Sequence, residues 1–549
     1  MKTRPILALT SVRIAKTMPL RRLMAAGVGV VALATPASAQ RQRPASQAVP
    51  TLIVFVTVDQ MRADYFERFL PQLTGGLGRL YRGGAVYMDA HQDHAITETA
   101  PGHSVTMSGR FPEHTGIVAN AFGVGDPQAP MIGGGGPGAS PFRFRGSTLI
   151  DWLRVKDSRS RALSVSRKDR GAILPLGRAH QSVFWYATDG RFTTSRYYAD
   201  TLPTWLNEFN AKKIPQTYAG QVWNPLLPLN QYPEPDTVAE ENFGSGVAFP
   251  HGFPTDPAQA ARLFTEFPPM DSLTAQAALA GLNGMGLGRG PQTDILAVSF
   301  STTDAVGHRF GPDSRELHDQ IVRLDRYLAI FIDSLYKLRD SSRIAIALTA
   351  DHGVAPYPEL RAEREHKSAE RVDVEPVMAR VSARLRAAHV DTMAVWLEEG
   401  MLTLDRAALS RGGLAPDSVL TSIAAALRPL KGVARVDLVR DLARADTTRD
   451  AVARRWLHML PADSQAELVL SLAPYAYYQG VDIATHGTPN DYDSHVPEIF
   501  YGPWFIAGRY GQRSTVADMA PTLAAIAEVN PTEPIDGRAH LEAIRKMAP

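Results

Sequence analysis

With 549 residues and 58 basic against 56 acidic side chains, the chain is long enough for a large core. Its net charge of +2 gives no electrostatic reason to expect a nucleic-acid partner. Hydrophobic residues at 44% and charged residues at 21% exclude both a disordered chain and a polytopic membrane protein. Cysteine is absent, which excludes disulfides, thiolate zinc sites and thiol nucleophiles, so any metal must use histidine, carboxylate and hydroxyl ligands.

In chain order, Lys2, Arg4, Arg13, Lys16, Arg21 and Arg22 precede an apolar stretch, residues 23–34, and then Ala37-Ser38-Ala39. A positive region, a hydrophobic region and small residues at a cleavage site read as a signal peptide over 1–39, with the mature protein starting near Gln40. The apolar stretch is shorter than the ~20 residues of a spanning helix, so no membrane span is expected in the mature protein. The long basic region makes Met18 an alternative start, and Arg21-Arg22 leaves both Sec and twin-arginine export open. The expected location is periplasmic or secreted.

Residues 51–58 (TLIVFVTV) form a continuous apolar, β-branched run, the pattern of a strand buried on both faces, and Asp59 stands at its carboxyl end. Residues 293–300 and 343–349 repeat the design, ending just before Asp304 and Asp351. Between them Leu317, Ile321, Leu324, Leu328, Phe331 and Leu335 recur at helical spacing. This alternation predicts an α/β fold, a three-layer sandwich whose mostly parallel central sheet is flanked by helices. One catalytic domain is expected over 40–549, with cap insertions near 121–145, 210–290 and 362–473. Residues 121–145 are Gly- and Pro-rich and read as a loop. Trp185, Tyr186, Tyr197 and Tyr198 read as packing aromatics rather than a stacking platform for a leaving group.

The sites where open α/β sheets place ligands, just beyond the carboxyl ends of strands, hold the chemically useful residues. Asp304 and His308 are one helical turn apart and can hold one metal from one helix face. Asp351-His352 follows a strand and precedes Gly353. His495, just before Ile499-Phe500-Tyr501, and His486, in Thr485-His486-Gly487, are rival further ligands that spacing does not separate. Thr99 and Pro101 open a helix whose free amides would face a hydroxyl and a bound anion. Lys168 and Arg170 follow the β-type run 162–166 and, two apart on an extended chain, would point to one side.

Together these residues resemble the alkaline phosphatase superfamily, most closely its periplasmic, phosphate-irrepressible alkaline phosphatases with a threonine nucleophile. The matching residues are Val58-Asp59, Thr99-Ala100-Pro101-Gly102-His103, Gly116-Ile117-Val118-Ala119-Asn120, Ser166-Arg167-Lys168-Asp169-Arg170, Asp304 with His308, Asp351-His352-Gly353, and His495-Val496-Pro497. The resemblance implies two Zn2+ ions. One would be held by Asp304, His308 and His495, the other by Asp59, Asp351, His352 and the Thr99 hydroxyl. It favours His495 over His486 by analogy alone. Asn120, Lys168 and Arg170, with the amide of Ala100, would contact the non-bridging phosphate oxygens.

What the resemblance implies is hydrolysis of small-molecule phosphate monoesters through a phosphothreonine on Thr99, releasing inorganic phosphate. Two cations facing the phosphate favour a monoester dianion over a diester monoanion. The alternatives are a phosphodiesterase or nucleotide pyrophosphatase of the same superfamily, and a non-catalytic zinc-binding exported protein. A sulfatase would need a cysteine or serine in place of Thr99.

Overall fold

The computed structural model describes residues 48–134, 136–366 and 370–546; the expected signal peptide, 1–39, lies outside them. Its centre is a nine-stranded sheet in the order Gly508–Thr515, Ala85–His91, Glu498–Tyr501, Ile344–Thr349, Leu52–Val58, Asp294–Phe300, Ala162–Ser166, Ser182–Tyr186, Phe192–Thr193. The five strands from Ile344–Thr349 through Ser182–Tyr186 are mutually parallel; Glu498–Tyr501 and Phe192–Thr193 run against their neighbours. Leu52–Val58 is the middle of this group, with Val54 paired to Leu296 on one side and Ile346 on the other. All seven of its residues are buried, which is why the run carries no alternation of polar and apolar side chains.

Helices cover the sheet. The longest, Arg315–Leu338, starts where the Ser314 hydroxyl accepts the Leu317 amide, 3.1 Å away, and buries the predicted stripe Leu317, Ile321, Leu324, Leu328, Phe331 and Leu335. Each fully buried residue of that stripe contributes roughly 1.5–3 kcal/mol of hydrophobic stabilisation. Among the described residues no helix is long and apolar enough to cross a membrane.

Residues 362–473 contain a separate four-stranded antiparallel sheet, Val395–Glu398, Met401–Leu404, Ala466–Leu472 and Val433–Leu438. Its helices Glu375–Ala387 and Pro416–Leu427 bring Val377, Leu385, Leu420 and Ile423 into an apolar core distinct from that of the main sheet. The expected insertion 210–290 ends earlier than its composition suggests. Helix Pro269–Met285 packs against strands Ala162–Ser166 and Asp294–Phe300 as one of the flanking helices, and the part before it is mostly loop with a short helix, Pro257–Leu263, and a two-stranded sheet of Val222–Trp223 and His251–Gly252. The described residues of 121–145 form a loop with two isolated bridges, Gly125 to Ala139 and Met131 to Ser195. Trp185 and Tyr186 belong to a buried strand of the main sheet, and Tyr198 packs against the same core.

Candidate functional site

Four parallel strands deliver their first loop residues to one edge. Asp59 follows Val58, its amide bonded to Phe300 O at 2.8 Å, and the next amide, that of Gln60, donates to Asp351 Oδ1 at 3.0 Å. Asp304 lies in the first turn of helix Thr302–Phe310, with His308 one turn later and its Nε2 3.2 Å from Asp304 Oδ1. Asp351 and His352 come directly off strand Ile344–Thr349, and Lys168 off strand Ala162–Ser166.

Two groups of ligand atoms result. Those of Asp304, His308 and His486 lie within 4.8 Å of one another, and so do those of Asp59, Asp304 and His352. Asp351 joins the second group, with Oδ2 3.6 Å from His352 Nε2. Asp59, Asp304, Asp351 and His352 are at most 4% exposed. Burying three carboxylates together costs several kcal/mol per ion unless cations compensate. Burial first, then Asp304 and Asp351, pushes the Asp59 carboxyl up to about 7. Burial would raise Asp304 and Asp351 as well. Lys168 and His308 hold Asp304 well below the usual carboxylate range, while His352 and His103 do so for Asp351.

Lys168 is the main counter-charge, with Nζ 2.7 Å from Asp59 Oδ2 and 2.8 Å from Asp304 Oδ2. Even so, both Asp59 oxygens and Asp351 Oδ2 are buried without a hydrogen bond of good geometry. Buried carboxylate oxygens whose hydrogen bonding is incomplete, beside imidazoles, form a donor set that fits divalent zinc. His103 supports it from behind, with Nδ1 3.0 Å from Asp351 Oδ2 and Nε2 2.9 Å from Ser299 Oγ. Gln60 Nε2 and an Arg167 NH group lie 3.3 Å from the two oxygens of Asp304. The sequence offered no separate signal for these supporting roles, because each residue is ordinary until the fold brings it to a carboxylate.

Thr99 is the first residue of helix Thr99–Thr106, inside the helix rather than its cap. Its hydroxyl lies 3.1 Å from Lys168 Nζ and 3.4 Å from His352 Nε2. Gly102 is required by the approach of this helix to the Asp351 turn: a Cβ there would meet the Asp351 carbonyl oxygen at 2.1 Å. The Ala100 amide, expected to be free for an anion, instead donates to Asn120 Oδ1 at 2.8 Å. That bond fixes the side-chain orientation, because only the oxygen of Asn120 can face an N–H, and it leaves the Asn120 NH2 as the donor. The Asn120 amide in turn donates to Glu98 at 2.6 Å. Lys168 is extended but Arg170 sits in the first turn of helix Asp169–Ile173, so the two do not alternate along a strand as the spacing predicts. Both nevertheless converge on the Thr99 segment: Lys168 contacts the hydroxyl, and burial pushes the Glu98 carboxyl up to about 7, a rise that the nearby Arg170 opposes.

His495 is not brought to either group. Its Nε2 is 3.0 Å from Met88 O, and its ring stacks on His91 with centroids 4.9 Å apart. Strand Glu498–Tyr501, which it precedes, is separated from Leu52–Val58 by Ile344–Thr349, and the bridge to His91 turns the ring back along Ala85–His91. His486 stands where the resemblance put His495, beside Asp304 and His308. Its ring stacks on His352 at 3.6 Å, Nδ1 bonds Thr97 O at 2.8 Å, and Nε2 is 3.9 Å from Asp304 Oδ1. Burial and the neighbouring His352 and His308 hold His486 well below the ordinary histidine value, so it is neutral, the state a metal requires.

An α/β sheet carrying at its carboxyl edge a cluster of histidines and carboxylates that could hold metal defines the class. The chain belongs to the type I phosphodiesterase / nucleotide pyrophosphatase family, whose model matches residues 53–398. It is 30% identical over 506 residues to alkaline phosphatase PafA of Elizabethkingia meningoseptica, covering 87% of this chain and 92% of that protein. It is likewise 30% identical over 510 residues to alkaline phosphatase PhoV of Synechococcus elongatus, covering 88% and 91%. The crystal structure of wild-type PafA superposes with a TM-score of 0.83 at 28% identity, covering 90% of this chain and 99% of that one. The fold and the relatives place the chain among the enzymes of the alkaline phosphatase superfamily.

Proposed function

We propose that the chain is an exported, zinc-dependent phosphate monoester hydrolase that works through a covalent phosphothreonine on Thr99. The observation that carries this is the Thr99 hydroxyl at a helix N-terminus, 3.1 Å from Lys168 Nζ and 3.4 Å from His352 Nε2. Asp304, His308 and His486 would hold one zinc ion; Asp59, Asp351, His352 and the Thr99 oxygen would hold the other. When bound, the pair supplies Lewis-acid chemistry, lowering the pKa of the attacking hydroxyl and neutralising the leaving oxygen.

The residues of the chain do the rest. Thr99 Oγ1 bonds to phosphorus as the ester P–O bond breaks, and the leaving oxygen takes up a proton to depart as an alcohol. Water then forms the new P–O bond, freeing Thr99 and inorganic phosphate. Lys168, Arg170 and the NH2 of Asn120 hold the equatorial oxygens, where the negative charge of a loose phosphoryl transition state resides. The leader at residues 1–39 supports export.

The family description favours a second reading, phosphodiester hydrolysis with the same metals. The Lys168 and Arg170 pair separates the two, because a diester has one fewer charged oxygen to engage. A panel of aryl phosphate, aryl phosphodiester and aryl sulfate, assayed after chelation and after zinc addition, tests the proposal. Zinc-restored monoesterase activity is the expected result. Full activity in the metal-free protein, or diester turnover above monoester turnover, would refute it. Lys168→Ala with Arg170→Ala should cost the monoester roughly 10²–10³-fold and the diester far less.

A further inference from the structure

A cavity of about 300 Å³ adjoins the reacting groups, with Asn120, His308 and His486 on one side and Trp456, Tyr477, Tyr478 and Glu399 from the C-terminal segments on the other. Among the described residues no lysine or arginine lines it. The polar atoms of two of its aromatic residues are already engaged: Trp456 Nε1 donates to Ser471 Oγ at 2.8 Å, and Tyr477 Oη donates to Ala355 O at 2.9 Å. What these side chains offer the cavity is therefore aromatic carbon.

Three carboxylates complete the lining. Asp493 is already used, since it accepts the hydroxyl and amide of Thr488. Glu98, only 8% exposed, accepts one bond, from the Asn120 amide. Glu399 occupies the hairpin turn between Val395–Glu398 and Met401–Leu404. There the positive φ values of Glu399 and Gly400 set the turn, and a Cβ added at Gly400 would stand 3.6 Å from the Trp456 ring and from the Tyr478 hydroxyl. Among the described residues the Glu399 carboxylate has no hydrogen-bond or ion-pair partner.

Aromatic surface, an unpartnered carboxylate and a second, buried carboxylate on the wall away from the metal ligands constitute the chemistry that recognises an organic ammonium ion. An anionic group would instead be desolvated against two like charges. We propose that this cavity is the leaving-group subsite and selects phosphate esters whose alcohol carries an ammonium group. The inference rests on the phosphatase reading above, and it adds a substrate class to it.

Alkylphosphonates test it without the complication of leaving-group acidity, because their P–C bond is not cleaved. The probes are 3-(trimethylammonio)propylphosphonate, its neutral isostere 4,4-dimethylpentylphosphonate, and 4-carboxybutylphosphonate, each as a competitive inhibitor of aryl phosphate hydrolysis by the zinc-loaded enzyme. The cationic probe should bind about tenfold more tightly than the neutral one, and the carboxylate more weakly than either. Glu399→Gln, which keeps side-chain shape on an exposed turn, should bring the cationic-to-neutral ratio of inhibition constants towards one. Glu399→Lys should invert it. The ratio is independent of the fraction of active protein, so partial misfolding does not affect the result. Equal inhibition by the cationic and neutral probes, a preference for the anion, or a ratio unmoved in Glu399→Gln would overturn the inference alone. A zinc-loaded enzyme with no aryl phosphatase activity would overturn the phosphatase reading, and the inference with it.

Discussion

Replacing His486 by alanine removes one imidazole from the group formed with Asp304 and His308, and it also removes the ring stacked 3.6 Å from His352. Residues that merely orient a metal ligand are worth 10–100-fold in metal affinity, so a direct ligand should cost at least about 100-fold, or roughly 2.7 kcal/mol. His495→Ala is the matched control. It loses one bond, to Met88 O, and a stack on His91, which together should cost on the order of 1 kcal/mol of stability and leave metal binding unaltered. Competition against a chromophoric chelator, with elemental analysis for stoichiometry, measures both variants. His486→Ala should retain one tightly bound zinc and lose the other, while His495→Ala retains two. A His486→Ala protein with both metals at unaltered affinity, or loss of a metal from His495→Ala, would refute the assignment.

Thr99→Ala should abolish acid-stable incorporation of labelled phosphate and lower kcat by several orders of magnitude, since groups acting as a unit in catalysis fail together. Normal turnover in that variant would exclude covalent catalysis. Gly102→Ala forces a methyl group onto the Asp351 carbonyl, 2.1 Å away, and should cost about 1–3 kcal/mol or more in a denaturant titration together with a fall in kcat. His458 lies beside Asp93, whose influence outweighs burial and raises the histidine pKa. The stability it contributes is therefore fully present below its unfolded value near 6.5 and is lost as pH rises through the folded value. His458→Gln should differ from the parent in denaturant midpoint at pH 6 by on the order of 1 kcal/mol, and hardly at all at pH 9. An equal difference at both pH values would contradict the linkage.

The parallel strands were legible because a strand buried on both faces must be apolar throughout, and 51–58, 293–300 and 343–349 each end on or near a carboxylate. Asp59, Asp304, His308, Asp351 and His352 follow from that geometry, since a residue next to a strand end has little freedom of position. His486 was harder to place. It sits in an irregular segment, 479–490, whose path is set by a distant partner, Thr97 O for the imidazole, and by a local one, Asp493 for Thr488. His495 precedes a clear strand, and the resemblance favoured it by analogy alone. That strand lies beyond Ile344–Thr349, however, and the backbone of its neighbour Ala85–His91 takes up the imidazole. The role of the Ala100 amide was illegible for a similar reason, because its acceptor, Asn120, is reached only after an intervening helix and turn.

The place of Leu52–Val58 at the middle of the sheet has a consequence for the order in which the molecule comes into being. This strand is among the first structured segments to be synthesised, yet its two partners are Asp294–Phe300 and Ile344–Thr349, and the His486 loop comes later still. Pairings of such long range form slowly, so a seven-residue apolar strand waits without its neighbours while most of the chain is made. A nascent or prematurely terminated chain is therefore both inert, lacking the far end of the reaction centre, and prone to self-association through that exposed segment. Protection during biogenesis is a need written into the sheet order itself.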